Sequence, residues 1–184
     1  MNETLIVIKT RKSVRKYKKE QLTREEVEKI VNAGMEAPSG HNSQPVYYTV
    51  IQNRELLDRI DEITKAEMAK SDVDWIQKFG SHPRYHVLHS APTVIFVSTR
   101  DECYSPVEDA SAAVENMLLA ATAMGIGSVW IGLINHFLKL PESREMLKVP
   151  DGYTARYAVC FGYEDPEKMA TKPARRRDVV NWIE

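Results

Sequence analysis

Hydrophobic residues recur along this chain with two distinct periods, and the alternation between them outlines the fold. After Thr23-Arg24-Glu25-Glu26, a capping-box pattern, Val27, Ile30, Val31 and Gly34 fall on one face of a helix that stops near Pro38. From Val46 to Gln52 the period drops to two and the residues become β-branched, which predicts a strand. Arg54 to about Lys70 returns to helical spacing, charged outside, with Leu57, Ile60, Ile63 and Met68 turned inward. Ala91 to Thr99 carries the unbroken apolar run Thr93-Val94-Ile95-Phe96-Val97, the pattern of a strand covered on both faces. Ser105 to Met124 reads as a long Ala-rich helix, apolar on more than one face, so it requires cover beyond its own sheet. Gly127 to Leu133 reads as a strand entered through Gly125-Ile126-Gly127, Pro141 to Leu147 as a short helix and Tyr153 to Gly162 as the last strand. Leu5-Ile6-Val7-Ile8 opens a short helix or turn.

Between Ser71 and Ser90 the rhythm is lost. Trp75, Phe79, Tyr85 and three histidines stand among polar residues, with Gly80 and Pro83 as breakers. A long segment of this kind inside a compact domain predicts an active-site lid that covers a planar substrate.

The order of elements predicts a single α+β domain over residues 1–184, without repeats or low-complexity linkers. With 184 residues, 43% of them hydrophobic, the chain has length enough for a real core. A net charge of −1, and aromatics not interleaved with a basic tract, exclude nucleic acid as the expected partner. The opening Met-Asn-Glu-Thr-Leu is neither a secretory signal nor an anchor, and no apolar stretch approaches the roughly 20 residues a bilayer requires. The expectation is a cytoplasmic protein with no membrane partner, in which Cys103 and Cys160 are reduced thiols. His82, His86 and His89 have near-helical spacing, but Pro83 interrupts them and no acidic or thiol ligand completes a set, so no metal is expected. No Ser-His-Asp or Cys-His arrangement is present to suggest a nucleophile.

Candidate chemistry concentrates in two segments. Arg11-Lys12-Ser13-Val14-Arg15 packs three cations and a hydroxyl into five residues. Extended, it sends Arg11, Ser13 and Arg15 to one side, an arrangement suited to a phosphorylated polyol, although a solvated loop has the same composition. Pro38-Ser39-Gly40-His41-Asn42-Ser43-Gln44-Pro45 offers small residues and side-chain amides on a backbone held open by prolines. It can edge a polar, planar ring without charging it, or it can simply end a helix.

Both segments, together with Gly125-Ile126-Gly127-Ser128-Val129-Trp130-Ile131-Gly132, Phe161-Gly162-Tyr163 and the Lys172 to Arg177 stretch, resemble the FMN-dependent nitroreductase family in order and spacing over nearly the whole chain. The resemblance implies a nitroreductase-like α+β fold, a central and mostly antiparallel sheet flanked by helices, and an obligate homodimer with FMN at the subunit interface. It implies that Arg11, Ser13 and Arg15 meet the phosphate and ribityl oxygens. Arg15, with Lys12 behind it, would stabilise the reduced ring at its pyrimidine end. Pro38, Ser39 and Gly40 would approach the flavin from the partner subunit, with Asn42 and Gln44 nearer the ring and ribityl. Backbone N–H groups of Ile131, Gly132 or Leu133 would meet flavin N5 and O4. Leu133 stands where a second glycine often follows in the family, which keeps the N–H but narrows the space. Arg175 and Arg177, with Lys172 as competitor, would complete the phosphate site.

The implied activity takes hydride from NAD(P)H and delivers it to a nitroaromatic, quinone or similar small conjugated acceptor by a ping-pong mechanism, with no catalytic side chain named. A specialised superfamily member, flavin-consuming or dehalogenating, and a non-enzymatic flavin-binding or storage protein remain the alternatives.

Overall fold

The computed structural model describes residues 2–184. Its centre is a four-stranded sheet in the order β1-β2-β4-β3, every neighbouring pair antiparallel, from β1 (Val46–Ile51), β2 (Thr93–Arg100), β3 (Gly127–Ile131) and β4 (Tyr153–Gly162). The α+β architecture expected from the sequence, an antiparallel sheet flanked by helices, is the one observed.

Strand periodicity sorts side chains into two cores. On one face Val94 and Phe96 of β2, Ala158 and Cys160 of β4, and Val129 and Ile131 of β3 pack against α3 (Arg54–Met68) through Leu57, Ile60 and Met68. On the other face Ile95 and Val97, with Val159 and Phe161, pack against α2 (Arg24–Met35) and α5 (Pro106–Ala123). Residues Val94 to Val97 are fully enclosed because both faces of β2 are covered, which accounts for their unbroken apolar run. In α5 the side chains Ala110, Ala113, Val114, Met117, Leu118 and Ala121 are buried, and the helix touches all four strands as well as α1 (Glu3–Thr10) and α2.

The capping box forms as expected: Glu26 Oε2 accepts the Thr23 N–H at 2.8 Å while the Glu26 N–H donates to Thr23 Oγ1 at 3.3 Å. The Tyr163 hydroxyl donates to the same carboxylate at 2.8 Å, tying the start of α2 to the end of β4.

One region settles an open choice between helix and turn, and two differ from the sequence expectation. The opening segment is a full helix, α1 (Glu3–Thr10), with no buried residue and with Leu5, Ile6 and Ile8 exposed. The stretch expected to lack regular structure contains α4 (Asp74–Ser81). Gly80 does not break that helix; it is buried where α4 presses on the end of α3. Two short helices also follow β3, with α6 (Asn135–Leu138) unanticipated and α7 (Pro141–Met146) as expected. The last residues, 171–184, have no regular secondary structure and expose Val179, Val180, Trp182 and Ile183. Among the described residues no helix is long and apolar enough to cross a membrane.

Candidate functional site

The basic segment leaves α1 at Arg11 and runs beside the outer edge of β3. Ser13 pairs with Ser128 in a parallel bridge, and the Val14 N–H donates to Ser128 O at 2.9 Å. Lys12 and Val14 line one groove, beside Gly125, Ile126 and Gly127. Arg15 lines a cleft of about 200 Å³ with Tyr85, His89 and the Ile131-Gly132-Leu133 backbone. Lys12 lies on the opposite side, where its ammonium pairs with Glu164 at 2.7 Å and donates to Ala170 O at 2.9 Å. That engagement sets Lys12 apart from Arg15: the Lys12 ammonium braces the N-terminal segment against the residues after β4.

Arg11 is largely buried and stands 3.9 Å from Glu115 of α5. Lys172 reaches back from the tail to the Ile8 and Lys9 carbonyls, which closes the C-terminus of α1 with a cation. Desolvation first, then the charges of Arg175 and Arg11, hold the Lys172 ammonium below its ordinary pKa. Arg11, Lys172 and Arg175 thus form a cationic group with Glu115 as its acidic neighbour. Arg175 and Arg177 are exposed, and Arg176 pairs instead with Asp178 at 3.5 Å.

The end of β3 supplies donors. No acceptor among the described residues takes the N–H of Gly132 or Leu133, so both remain free beside the cleft. A Cβ on Gly132 would meet nothing within 4 Å, so packing does not demand a glycine there; its absence of side chain keeps the cleft open.

Residues 38–45 form a different wall. His41, Asn42 and Gln44 all have positive φ, 53°, 51° and 45°, a cluster of left-handed residues that ordinary loops avoid. The loop is held in this shape from below. Asp109 Oδ1 accepts the Gly40 N–H at 3.0 Å and the Ser105 hydroxyl at 3.1 Å, and the Gln44 N–H donates to Ser39 Oγ at 3.0 Å. The Gln44 amide donates to Asn42 Oδ1 at 3.3 Å. Pro38, Ser39 and Gln44 line a second cleft, of about 250 Å³, with Tyr48 and Asp109. Burial pushes the Tyr48 hydroxyl up to about 12. The candidate residues therefore fall into two sets within one chain: Arg15 with Ile131, Gly132 and Leu133 in the first cleft, Pro38, Ser39 and Gln44 in the second.

The three histidines do not converge. His82 Nδ1 accepts the Arg84 N–H at 3.2 Å, His86 faces Asp58 and Asp61, and His89 lines the first cleft. Among the described residues no group of three or more His, Cys, Asp or Glu could hold a metal ion. Sequence reasoning overlooked His89 as a cleft residue and Glu115 as a neighbour of the cations; both placements are tertiary and leave no local signal.

A sheet in this order, with a cationic N-terminal segment bridged to its β3 edge and free backbone donors at the β3 terminus, is an arrangement this chain shares with flavin-dependent reductases. The chain belongs to the nitroreductase family, whose sequence model matches residues 8–163. It is 35% identical over 172 residues to a protein of Archaeoglobus fulgidus provisionally named NADH dehydrogenase/NAD(P)H nitroreductase, covering 91% of this chain and 89% of that one. A crystal structure of a nitroreductase with bound FMN from Bacteroides fragilis superposes with a TM-score of 0.92 at 31% identity, covering all of both chains. A nitroreductase with bound FMN from Desulfitobacterium hafniense gives 0.86 at 28% identity, again over the full length of both.

Proposed function

We propose that the protein binds FMN in the cleft between Arg15 and the β3 terminus and works as an NAD(P)H-dependent oxidoreductase. The observation that carries this reading is the pair of free N–H groups at Gly132 and Leu133 in a cleft that also holds Arg15. A flavin ring fits such a set, since its N5 and O4 accept hydrogen bonds and its pyrimidine gains negative charge on reduction. Arg11, Lys172 and Arg175 supply the surplus positive charge that a phosphate requires, and Ser13 stands between them and Arg15 in the same extended segment.

FMN, when bound, supplies the two-electron redox chemistry that links NAD(P)H to a small conjugated acceptor such as a nitroaromatic or quinone. The chain's own residues bind and orient. Arg11 and its cationic neighbours fix the phosphate end, the Gly132 and Leu133 donors fix the ring, and the Arg15 guanidinium favours negative charge near it. Donor and acceptor occupy one site in turn, which is the physical basis of ping-pong kinetics.

The second wall, Pro38, Ser39 and Gln44, completes the site from another copy of the chain. Within one protomer it lines a separate cleft, and the exposed apolar residues of α1 and of the tail require cover. A homodimer meets both requirements. The test is direct: the purified protein should be yellow, release FMN on denaturation, and lose its visible absorbance on anaerobic titration with NADH or NADPH. A colourless protein that takes up no FMN sinks the reading; a yellow protein that neither nucleotide bleaches reduces it to flavin binding alone.

A further inference from the structure

His89 is the one histidine whose imidazole lines the first cleft. It is half-buried, and its ring nitrogens make no hydrogen bond to any described residue, so whatever they bind lies in the cleft. Its position is built at some conformational cost. His89 and Ser90 both have positive φ, 53° and 52°, two successive non-glycine residues in the left-handed region. Such backbone persists only where its surroundings over-determine it, and it clusters at functional sites.

The surroundings do over-determine it. Buried Asp61 of α3 accepts the Val87 N–H at 2.6 Å and the Leu88 N–H at 3.2 Å through one oxygen. His86 Nδ1 stands 2.9 Å from that same oxygen, off the hydrogen-bond axis. The Cys160 thiol, from the sheet, donates to Leu88 O at 3.3 Å, and the His89 N–H donates to His86 O at 3.0 Å. α3 and β4 together therefore fix a turn whose outward products are Tyr85 and His89. The two rings meet edge to face with centroids 6.5 Å apart.

We propose that His89, as a neutral imidazole, is a hydrogen-bonding partner of the flavin ring, facing it across the cleft from the Gly132 and Leu133 donors. This rests on the cofactor reading above. Burial first, then the charges of Arg15, His86 and Lys16, lower the His89 pKa to about 4, with Asp61 opposing them. The imidazole is thus uncharged at neutral pH, able to donate at one nitrogen and accept at the other, which matches a ring edge that presents both donors and acceptors.

The test compares two flavins on the full-length protein stripped of cofactor. His89→Gly removes the imidazole and suits the left-handed backbone, so the turn is retained. The expected result is a loss of about 10-fold in affinity for FMN and an equal loss for riboflavin, because the contact is to the ring and not to the phosphate. Free imidazole at tens of millimolar should restore part of both affinities. Unchanged affinities for both flavins overturn the proposal, as does a loss confined to FMN. Should His89→Gly fail to fold, His89→Asn, whose shorter side chain also tolerates positive φ, should weaken both flavins by about 3-fold, and no change there is equally fatal. A parent protein that binds neither flavin would instead overturn the cofactor reading itself, an outcome separate from either of these.

Discussion

A Cβ placed on Gly80 of α4 would stand 2.4 Å from the backbone nitrogen of Ala69, just past the end of α3. The Met68 and Lys65 backbones lie at 2.7 and 2.8 Å from the same point, so no flexible side chain can yield. Gly80→Ala should therefore destabilise the protein by about 2–3 kcal/mol through forced separation of the helices, although alanine is the better helix former. Thermal unfolding should show a midpoint lower by about 5–10 °C. A midpoint equal to or above that of the parent would mean that α4 does not dock as described.

Arg11 tests the phosphate site. Arg11→Ala should weaken FMN binding by about 1.5–3 kcal/mol, the range of a charge-assisted hydrogen bond, and should change riboflavin affinity far less. Fluorescence titration of the two flavins measures both. Equal losses for FMN and riboflavin would remove Arg11 from the phosphate.

Trp75 and Phe79 test acceptor choice. They are 53% and 44% exposed, and Phe79 stacks at 4.6 Å between ring centroids on Tyr85, which lines the cleft. The pair thus continues the cleft wall outward. Replacing both with alanine should shift the kcat/KM ratio between a small and a large acceptor by about 10-fold while FMN occupancy is retained. Their exposure predicts a small change in thermal midpoint. A uniform loss of activity with a large fall in midpoint would make them packing residues.

His89 gives the stability a pH dependence of known sign. Its folded pKa of about 4 lies below the ordinary 6.5, so between those values the unfolded chain binds more protons. Its contribution is complete above about pH 6.5 and is lost as pH falls towards 4. The loss is on the order of 2 kcal/mol, less than the full shift implies because the ring is partly solvated. Arg15, Lys16, His86 and Asp61 face the same imidazole and set this balance. Urea unfolding at pH 7 and pH 4.5 in the parent and in His89→Gly should show a smaller fall in the variant; identical falls would dismiss His89 as the source.

Assembly is the fifth test. Removing residues 179–184 deletes exposed Val179, Val180, Trp182 and Ile183. On the homodimer reading this weakens association and, with it, FMN retention, since one wall of the site comes from the other copy. Sedimentation at micromolar concentration should show the parent as a dimer. A monomer that keeps its FMN would refute the shared site.

Much of this arrangement was legible because it is local. Thr23 and Glu26 announce their helix, and the runs around Phe96 and Phe161 announce buried strands. α4 was hidden because its eight residues depend on Gly80 fitting α3, a tertiary reason that looks like a helix breaker in isolation. In the site, alternation along residues 11–15 is consistent with Lys12 and Arg15 lining different clefts. His89 was invisible as a cleft residue because Asp61, 28 positions upstream, determines where its turn points.

The bracing of residues 12–18 also governs when the protein can acquire its cofactor. This segment is anchored to Ser128, Tyr163, Glu164 and Asp165 through the Val14 N–H, the Lys18 N–H, the Lys12 ammonium and the Lys16 carbonyl. During synthesis residues 12–18 leave the ribosome well before three of their four anchors, Tyr163, Glu164 and Asp165. At roughly 5–20 residues per second the segment waits on the order of ten seconds or more without a partner. On the proposed reading, a nascent chain cannot hold flavin until β4 is complete. Cofactor capture then waits at least for completion of β4, and a ribosome stalled before Glu164 carries an apoprotein however much flavin surrounds it.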